Sequence, residues 1–296
     1  MELRHLRYFE TICTARSFSR AAEILHVTQS TLSHQIQQLE DELGTRLLHR
    51  LGRSIEPTHA GEVFLTHCCA ALSAASAGVS AVHELEGLVR GELRVAVFHS
   101  FGSSRLPAVF AAFAQTYPGV HMVARQLSRD DMERQLMGGA LDMAIGYAES
   151  GDPQLEAVRL FSDRLVLAVG SRHPWRDLGS VPMRRLAELS LVLLTPEFGA
   201  RAFLDAFFNR SAIRPTIVLE MNALGPILAV IRDTALATVL QHGALGDTPQ
   251  IHAIELTEPV PARDAALLWR KLGERSAAAR RLAEMIRSAY DNGLPD

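Results

Sequence analysis

Between Thr28 and Gln38 the chain carries a dense run of short hydrogen-bonding side chains: Thr28, Gln29, Ser30, Thr31, Ser33, His34, Gln35 and Gln38. A glutamine amide can grip an adenine edge through two atoms, and serine or threonine hydroxyls suit several base edges. The chemistry this points to is base reading in a DNA major groove. A plain solvated helix face would show the same residue types, and the pattern alone leaves both readings open. Arg20 precedes the run, and Arg50 and Arg53 follow it. Their guanidinium groups suit phosphate or a minor groove.

These residues need elements to hold them. Leu6, Phe9, Ile12 and Cys13 recur at helical spacing and predict a helix over residues 4–16. Ser17 is a natural cap for a short second helix, Phe18–Leu25, and His26-Val27 makes a turn. Thr28 then caps a third helix starting at Gln29, with Leu32, Ile36, Leu39 and Leu43 on its inner face and Gly44 as its stop. Ala21 and Ala22 are small enough for the close packing that a helix-turn-helix requires. Residues 47–57 read as a two-stranded wing with its tip at 51–54. Thr58 caps a long helix predicted to run to about Arg90. Leu65, Leu72 and Val79 form one heptad seam, with Cys68, Ala75, Val82 and Val89 as its companion. Ala70, Ala71, Ala74, Ala77 and Gly78 allow close helix approach, while polar Glu86 breaks the first seam. So exposed a helix needs a partner, which predicts a dimer.

From Gly91 strand-like runs alternate with helical ones, which argues for parallel α/β sheets. Leu93–Phe98, Val120–Gln126, Leu141–Gly146, Arg164–Val169, Leu191–Leu194, Thr216–Glu220, Leu236–Val239 and Ala265–Trp269 are the strand candidates. Pro107–Tyr117, Arg129–Met137 and Ala200–Asn209 read as helices, and residues 276–290 as the last one.

Composition narrows the function classes. The chain has 296 residues, 48% hydrophobic and 21% charged, which fits about two globular domains. Net charge is −3, so a case for DNA rests on where charges sit rather than on their sum. Lys271 is the only lysine; every other lysine-or-arginine position is arginine, the better bidentate donor. No apolar run is expected to reach the ~18 residues of a membrane span. The opening MELRHLRYFE is too charged for a signal peptide, so a cytoplasmic location is expected. Cys13, Cys68 and Cys69 lack metal spacing and read as reduced thiols, and no metal or cofactor is expected. An enzyme is disfavoured: there is no G-x-S-x-G elbow, HExxH, Walker loop or dinucleotide fingerprint.

The run SFSRAAEILHVTQSTLSHQIQQLEDELGTRLLHRLGR, followed by PTHAG, resembles the LysR-type transcriptional regulators. Thr28 and Ser30 stand where that family often has serine and proline. The resemblance implies a winged helix-turn-helix over 1–58, a dimerisation linker helix over 59–90, and an effector domain over 91–296. That domain is a two-lobed, periplasmic-binding-protein-like α/β fold. Lobe I is placed at 91–161 and 268–296 and lobe II at 162–267, with hinges at Phe161–Arg164 and Leu267–Trp269. It further implies a homodimer pairing into a homotetramer, a double-stranded DNA site that is an interrupted inverted repeat with T and A ends, and contact with RNA polymerase. The phrases LVLLTPEFGAR and LAVIRDTALATVL resemble the branch that controls cyanate metabolism, which implies a small anionic effector.

Ligands of such sheets sit beyond the carboxyl ends of strands. Ser100 and Phe101 follow the first strand and Ser128 the second, at the two first-lobe positions where the family's effector contacts cluster. Thr195, Phe198 and Gly199 oppose them from the second lobe, and Gly146 and Asn222 are further candidates. Each serine also reads as a helix cap, a role compatible with anion binding. His99 reads as a packed or exposed histidine, and Arg125 and Arg201 as counter-charges or surface ion-pair partners. Two other functions stay open: a constitutive DNA-binding regulator without effector, and a solute-binding module, which would leave residues 1–90 unexplained.

Overall fold

The structure, a computed structural model, describes residues 1–51, 54–85, 89–101, 105–149, 152–245, 248, 250–259, 262–271 and 275–291. Three helices open the chain: α1 (Leu3–Ala15), α2 (Phe18–Ile24) and α3 (Gln29–Leu43). Ser17 and Thr28 cap α2 and α3, accepting the backbone N–H of Arg20 and of Thr31. Each cap satisfies a donor that a helix start leaves open. Gly44 ends α3 at a left-handed φ of 68°, which costs glycine little. Phe9, Ile12, Ala21, Ala22, Leu32, Ile36 and Leu39 make the core of this head. Leu43, expected on the same face, is 38% exposed. Glu40 turns inward instead, and its Oε1 accepts from the backbone N–H of Leu47 at 2.7 Å and of Leu48 at 3.2 Å. That carboxylate fastens α3 to the wing, whose strands β1 (Leu48–Leu51) and β2 (Ser54–Pro57) pair antiparallel.

Helix α4 (His59–Leu85) follows, with Thr58 accepting from the Gly61 N–H at 3.0 Å. A Cβ on Gly61 would lie 2.1 Å from the Leu47 carbonyl oxygen, so the close crossing of helix and wing requires glycine. Val89 and Arg90, expected in this helix, are not helical, and Glu86 lies outside the described residues. Val89 packs on the core of the next domain rather than in a seam. The heptad seam is divided. Cys68 is buried in the head and Leu65 and Leu72 pack on it, whereas Val79 and Val82 are 57% and 59% exposed. Ala70 serves a contact inside the chain, since a Cβ on Gly139 would come within 3.0 Å of its Cα. Contrary to expectation, His59–Val79 is long and apolar enough to cross a membrane by length and composition. Phe64, Leu65 and Cys68 within it are tied into the core of the head. Burial pushes the thiols of Cys13 and Cys68 up to about 12 and that of Cys69 up to about 11, which keeps them protonated and unreactive at neutral pH.

The remainder begins with β3 (Gly91–Phe98), a 3-10 turn (His99–Phe101), α5 (Leu106–Thr116), β4 (Val120–Leu127), α6 (Arg129–Met137), β5 (Met143–Tyr147) and the long β6 (Leu155–Gly170). It continues with β7 (Ser180–Pro182), β8 (Ser190–Leu194), α7 (Gly199–Arg210), β9 (Thr216–Met221), α8 (Leu224–Arg232) and β10 (Ala237–Gln241). The short α9 (His242–Leu245), β11 (Ile251–Thr257), β12 (Ala262–Arg270) and α10 (Ala277–Asp291) complete it. Strand order is β4-β3-β5-β12-β6-β10-β8-β9, with β11 beside β6 and β7. β3 is parallel to β4 and β5, and β8 to β9 and β10. β12 is antiparallel to β5 and β6, as β6 is to β10 and β11, so the sheets are mixed rather than wholly parallel.

β6 is shared by two lobes. Its first part pairs with β12 as far as Arg164, and from Leu165 it pairs with β10. Ala262–Leu267, expected in lobe II, pair with this first part of β6 and belong to lobe I. The second crossing therefore precedes Ala262 and does not fall at Leu267–Trp269. The reason is burial: Ala265, Ala266, Leu267, Leu268 and Trp269 fill the first-lobe core between β5 and β6. Lobe II has cores on both faces of its sheet, one beneath α7 and one beneath α8.

Candidate nucleic-acid interface and inter-lobe site

The third helix presents its polar residues outward. Gln29, Ser30, Thr31, His34 and Gln38 are exposed, and Ser33 is half-buried. Ser30, His34 and Gln38 lie four residues apart along one ridge. At the start of α3 the Thr28 hydroxyl lies 2.9 Å from that of Ser30 and 2.8 Å from that of Thr31. The Ser19 hydroxyl donates to Gln29 Oε1 at 3.1 Å, so the second helix steadies the first glutamine of the third. Gln35 departs from the expectation of an outward contact. It is half-buried, and its Oε1 lies 2.9 Å from His5 Nε2. His5 Nδ1 accepts the Glu2 N–H, so Nε2 is the donor to Gln35. Gln35 in turn donates to Gln38 Oε1 at 2.8 Å and orients it. Arg20 is exposed on α2. Arg50 sits in β1 opposite Ile55, and Arg53 lies outside the described residues. The ridge and the wing thus share one module, the arrangement a major groove and its flanking phosphates require.

The lobes meet where β3 ends and α7 begins. His99 packs edge-on against Phe198 with ring centroids 5.2 Å apart, and a Cβ on Gly199 would reach within 2.9 Å of Phe98 Cζ. Phe198 and Gly199 therefore touch the first lobe as expected of opposing residues. His99 is partly buried, which lowers its pKa. Behind this contact lies a polar chain. Ser100 Oγ is 2.8 Å from the Tyr147 hydroxyl, which donates to Asp163 Oδ2 at 3.0 Å. The N–H of Gly243 at the start of α9 donates to Asp163 Oδ1 at 3.3 Å. Since the tyrosine proton goes to Asp163, Ser100 must donate to Tyr147. Burial raises the Asp163 carboxyl to about 6 and carries the Tyr147 hydroxyl well above its ordinary value. Arg263, opposite Asp163 across β12 and β6, is buried with its Cζ 3.9 Å from the Tyr147 ring centre and 4.8 Å from that of Phe203 on α7. Its Nε and Nη2 donate to Glu149.

The other candidates are scattered. Ser128 caps α6 and donates to Asp131 Oδ2 at 2.8 Å, while remaining exposed. Thr195 donates to Glu197 at 2.7 Å, and Asn222 is exposed. Phe101 and Gly146 are corrected: both lie inside the first-lobe core. Phe101 is 1% exposed, and a Cβ on Gly146 would meet Leu268 and Met132. Arg201 is likewise unavailable as a counter-charge, because Asp205, Glu220 and the Leu194 carbonyl already bind it. Arg125 is exposed on β4. Sequence reasoning missed Tyr147, Asp163 and Arg263. The neighbouring charges Asp163-Arg164 and Arg263-Asp264 gave no local signal, since each stretch is polar enough to pass for a loop.

Comparison with known proteins matches this architecture throughout. A family model described as the bacterial regulatory helix-turn-helix protein, lysR family, matches residues 3–62, and the LysR substrate binding domain matches residues 86–291. The HTH-type transcriptional regulator AlsR of Bacillus subtilis is 30% identical over 236 residues, 78% of this chain and 77% of its own length. The DNA-binding transcriptional dual regulator OxyR of Escherichia coli is 28% identical over 302 residues, covering 98% and 96%. Among solved structures, a full-length OxyR variant from Pseudomonas aeruginosa aligns with a TM-score of 0.78 at 25% identity, over 97% of this chain and 98% of that one. Full-length CbnR complexed with its target DNA aligns with a TM-score of 0.68 at 25% identity, over 98% and 100%. With both domains matched in order along one polypeptide, the chain belongs to the LysR family of regulatory helix-turn-helix proteins.

Proposed function

We propose that this LysR-type transcriptional regulator reads DNA with α3 and the wing, and that a small molecule between its two lobes sets how it does so. One observation carries the reading: the same chain holds an outward ridge of amide and hydroxyl groups and a buried polar site at the junction of two lobes. The base-contacting set is Gln29, Ser30, Thr31, Ser33, His34 and Gln38, with Arg20, Arg50 and Arg53 on the backbone and Gln35 positioning Gln38. The effector-facing set is Ser128, Thr195, Phe198, Gly199 and Asn222, backed by the Ser100–Tyr147–Asp163 chain.

The exposed lower half of α4 supports a homodimer, since Val79 and Val82 are apolar side chains left facing solvent along a heptad seam. Two heads so joined suit an interrupted inverted repeat. Tetramer formation and contact with RNA polymerase extend the same reading. The proposed mechanism is a population shift. An effector that binds one lobe angle better than another changes the packing of subunits and respaces the heads. Screening small molecules by thermal melting identifies effectors, because a ligand bound to the native state raises the midpoint. A saturating effector is expected to change the length or spacing of the DNase footprint. An unchanged footprint at saturation would show a constitutive DNA-binding protein instead.

A further inference from the structure

We infer that Gln38 offers DNA its N–H donors and not its oxygen, and so selects guanine. A one-way hydrogen-bond relay, running from the Glu2 backbone through His5 and Gln35, turns its amide oxygen inward. This rests on the reading of α3 as the base-contacting helix and names the base edge that one of its residues takes.

The direction of the relay is set by a group that cannot reverse. The backbone N–H of Glu2 donates to His5 Nδ1 at 3.0 Å. A backbone nitrogen can only donate, so Nδ1 carries no proton and the ring proton sits on Nε2. Nε2 lies 2.9 Å from the Gln35 amide, which must turn its oxygen toward that proton. The NH2 of Gln35 is then the end that reaches Gln38, 2.8 Å away, so Gln38 must answer with its own oxygen. His5 is buried and Gln35 half-buried, which shields the start of the relay from water. Gln38 is exposed on the ridge with Ser30 and His34, and its NH2 is the end of the amide left for a base.

Gln29 supplies the contrast. Its amide meets the Ser19 hydroxyl at 3.1 Å. A hydroxyl donates or accepts, so the Gln29 amide can turn over and grip adenine through both atoms. Gln38 lacks that grip, because the adenine N6 amino group needs the oxygen that Gln35 holds. In the major groove guanine presents two acceptors, O6 and N7, whereas cytosine presents only a donor. Gln38 is thus the specificity-determining residue, and His5 and Gln35 are positioning residues that act through it.

The test measures affinities of the full chain for the DNA protected beside its own gene, with each of the four bases placed in turn at every half-site position. Gln38→Ala locates the contacted base, as the position whose preference it flattens. There the parent is expected to favour guanine over adenine and cytosine by at least tenfold. Gln35→Glu still accepts from His5 but cannot donate, so the Gln38 amide must turn over to donate to it. The preference at that one position is then expected to pass to adenine or cytosine. Gln35→Met breaks the relay without adding charge and should reduce the preference to less than threefold. The added charge of Gln35→Glu weakens every operator alike, and a folding defect lowers every affinity alike, so neither imitates a reversal at one position. A parent preference for adenine there, or an unchanged preference in Gln35→Glu, overturns the proposal. If Gln29→Ala and Ser33→Ala each flatten a position and Gln38→Ala flattens none, the proposal falls and the reading of α3 stands. If none of these three alters any preference, the reading of α3 falls as well.

Discussion

At the scale of single residues, Asp163 is the group that ties the two lobes to a protonation state. Its carboxyl is 3% exposed, accepts from Tyr147 and Gly243, and is raised by burial to about 6 from an ordinary 3.8. The folded chain therefore binds this proton more tightly than the unfolded chain does. The stability it contributes is complete below about pH 4 and is lost as pH rises through about 6. A shift of this size corresponds to a loss on the order of 3 kcal/mol. Asp163→Asn cannot titrate, so the difference in urea stability between parent and variant should move in the variant's favour between pH 4 and pH 7. A difference independent of pH would contradict the raised carboxyl. Nothing in the sequence around Asp163 announces this role. Tyr147, Asp163, Gly243 and Arg263 are separated in the chain, and only the pairing of β5, β12, β6 and β10 brings them together. Cross-strand register is the information a periodicity reading lacks. The third helix was legible for the opposite reason: cap, inner stripe and outer polar ridge all lie within one short run.

At the scale of elements, α4 divides its labour along its length. Near the head it is a packing helix, with Cys68 buried and Phe64 and Leu65 against the head core. Further on it presents Val79 and Val82 to solvent. The heptad spacing was readable, but the sequence could not tell which turns of the seam are spent on the chain's own head. Charged residues at the exposed turns should break association and leave folding alone, because surface changes away from packed contacts usually move stability by less than about 0.5 kcal/mol. Val79→Glu combined with Val82→Glu is expected to convert the dimer to monomer in sedimentation velocity, with the far-ultraviolet circular dichroism of the folded chain retained. A dimer that persists in the double variant would place the main interface elsewhere. The strand β12 shows where element reading went astray. Its first residues, Ala262, Arg263 and Asp264, are polar enough to pass for a loop, yet they complete the strand that closes the first lobe.

At the scale of the whole molecule, the chain joins a reader to a sensor through one helix and one shared strand. α4 touches the head at its start and the first lobe through Ala70 and Gly139, so under the proposed population shift a movement of that lobe would reach the helix that spaces the heads. β6 runs through both lobes, so the proposed change in their angle would bend or twist this strand. The coupling depends in the end on α3 reading a defined sequence, and that step is the most directly measurable. DNase footprinting of the purified full chain on the DNA beside its own gene should show two protected half-sites. The Gln29→Ala, Ser33→Ala double variant, which removes outward groups from α3 without touching its core, should lose that protection while melting as the parent does. Each good base contact is worth about 1–3 kcal/mol, so the loss in affinity should be at least tenfold. Full protection by the double variant at the same protein concentration would contradict the assignment of α3 as the reading helix.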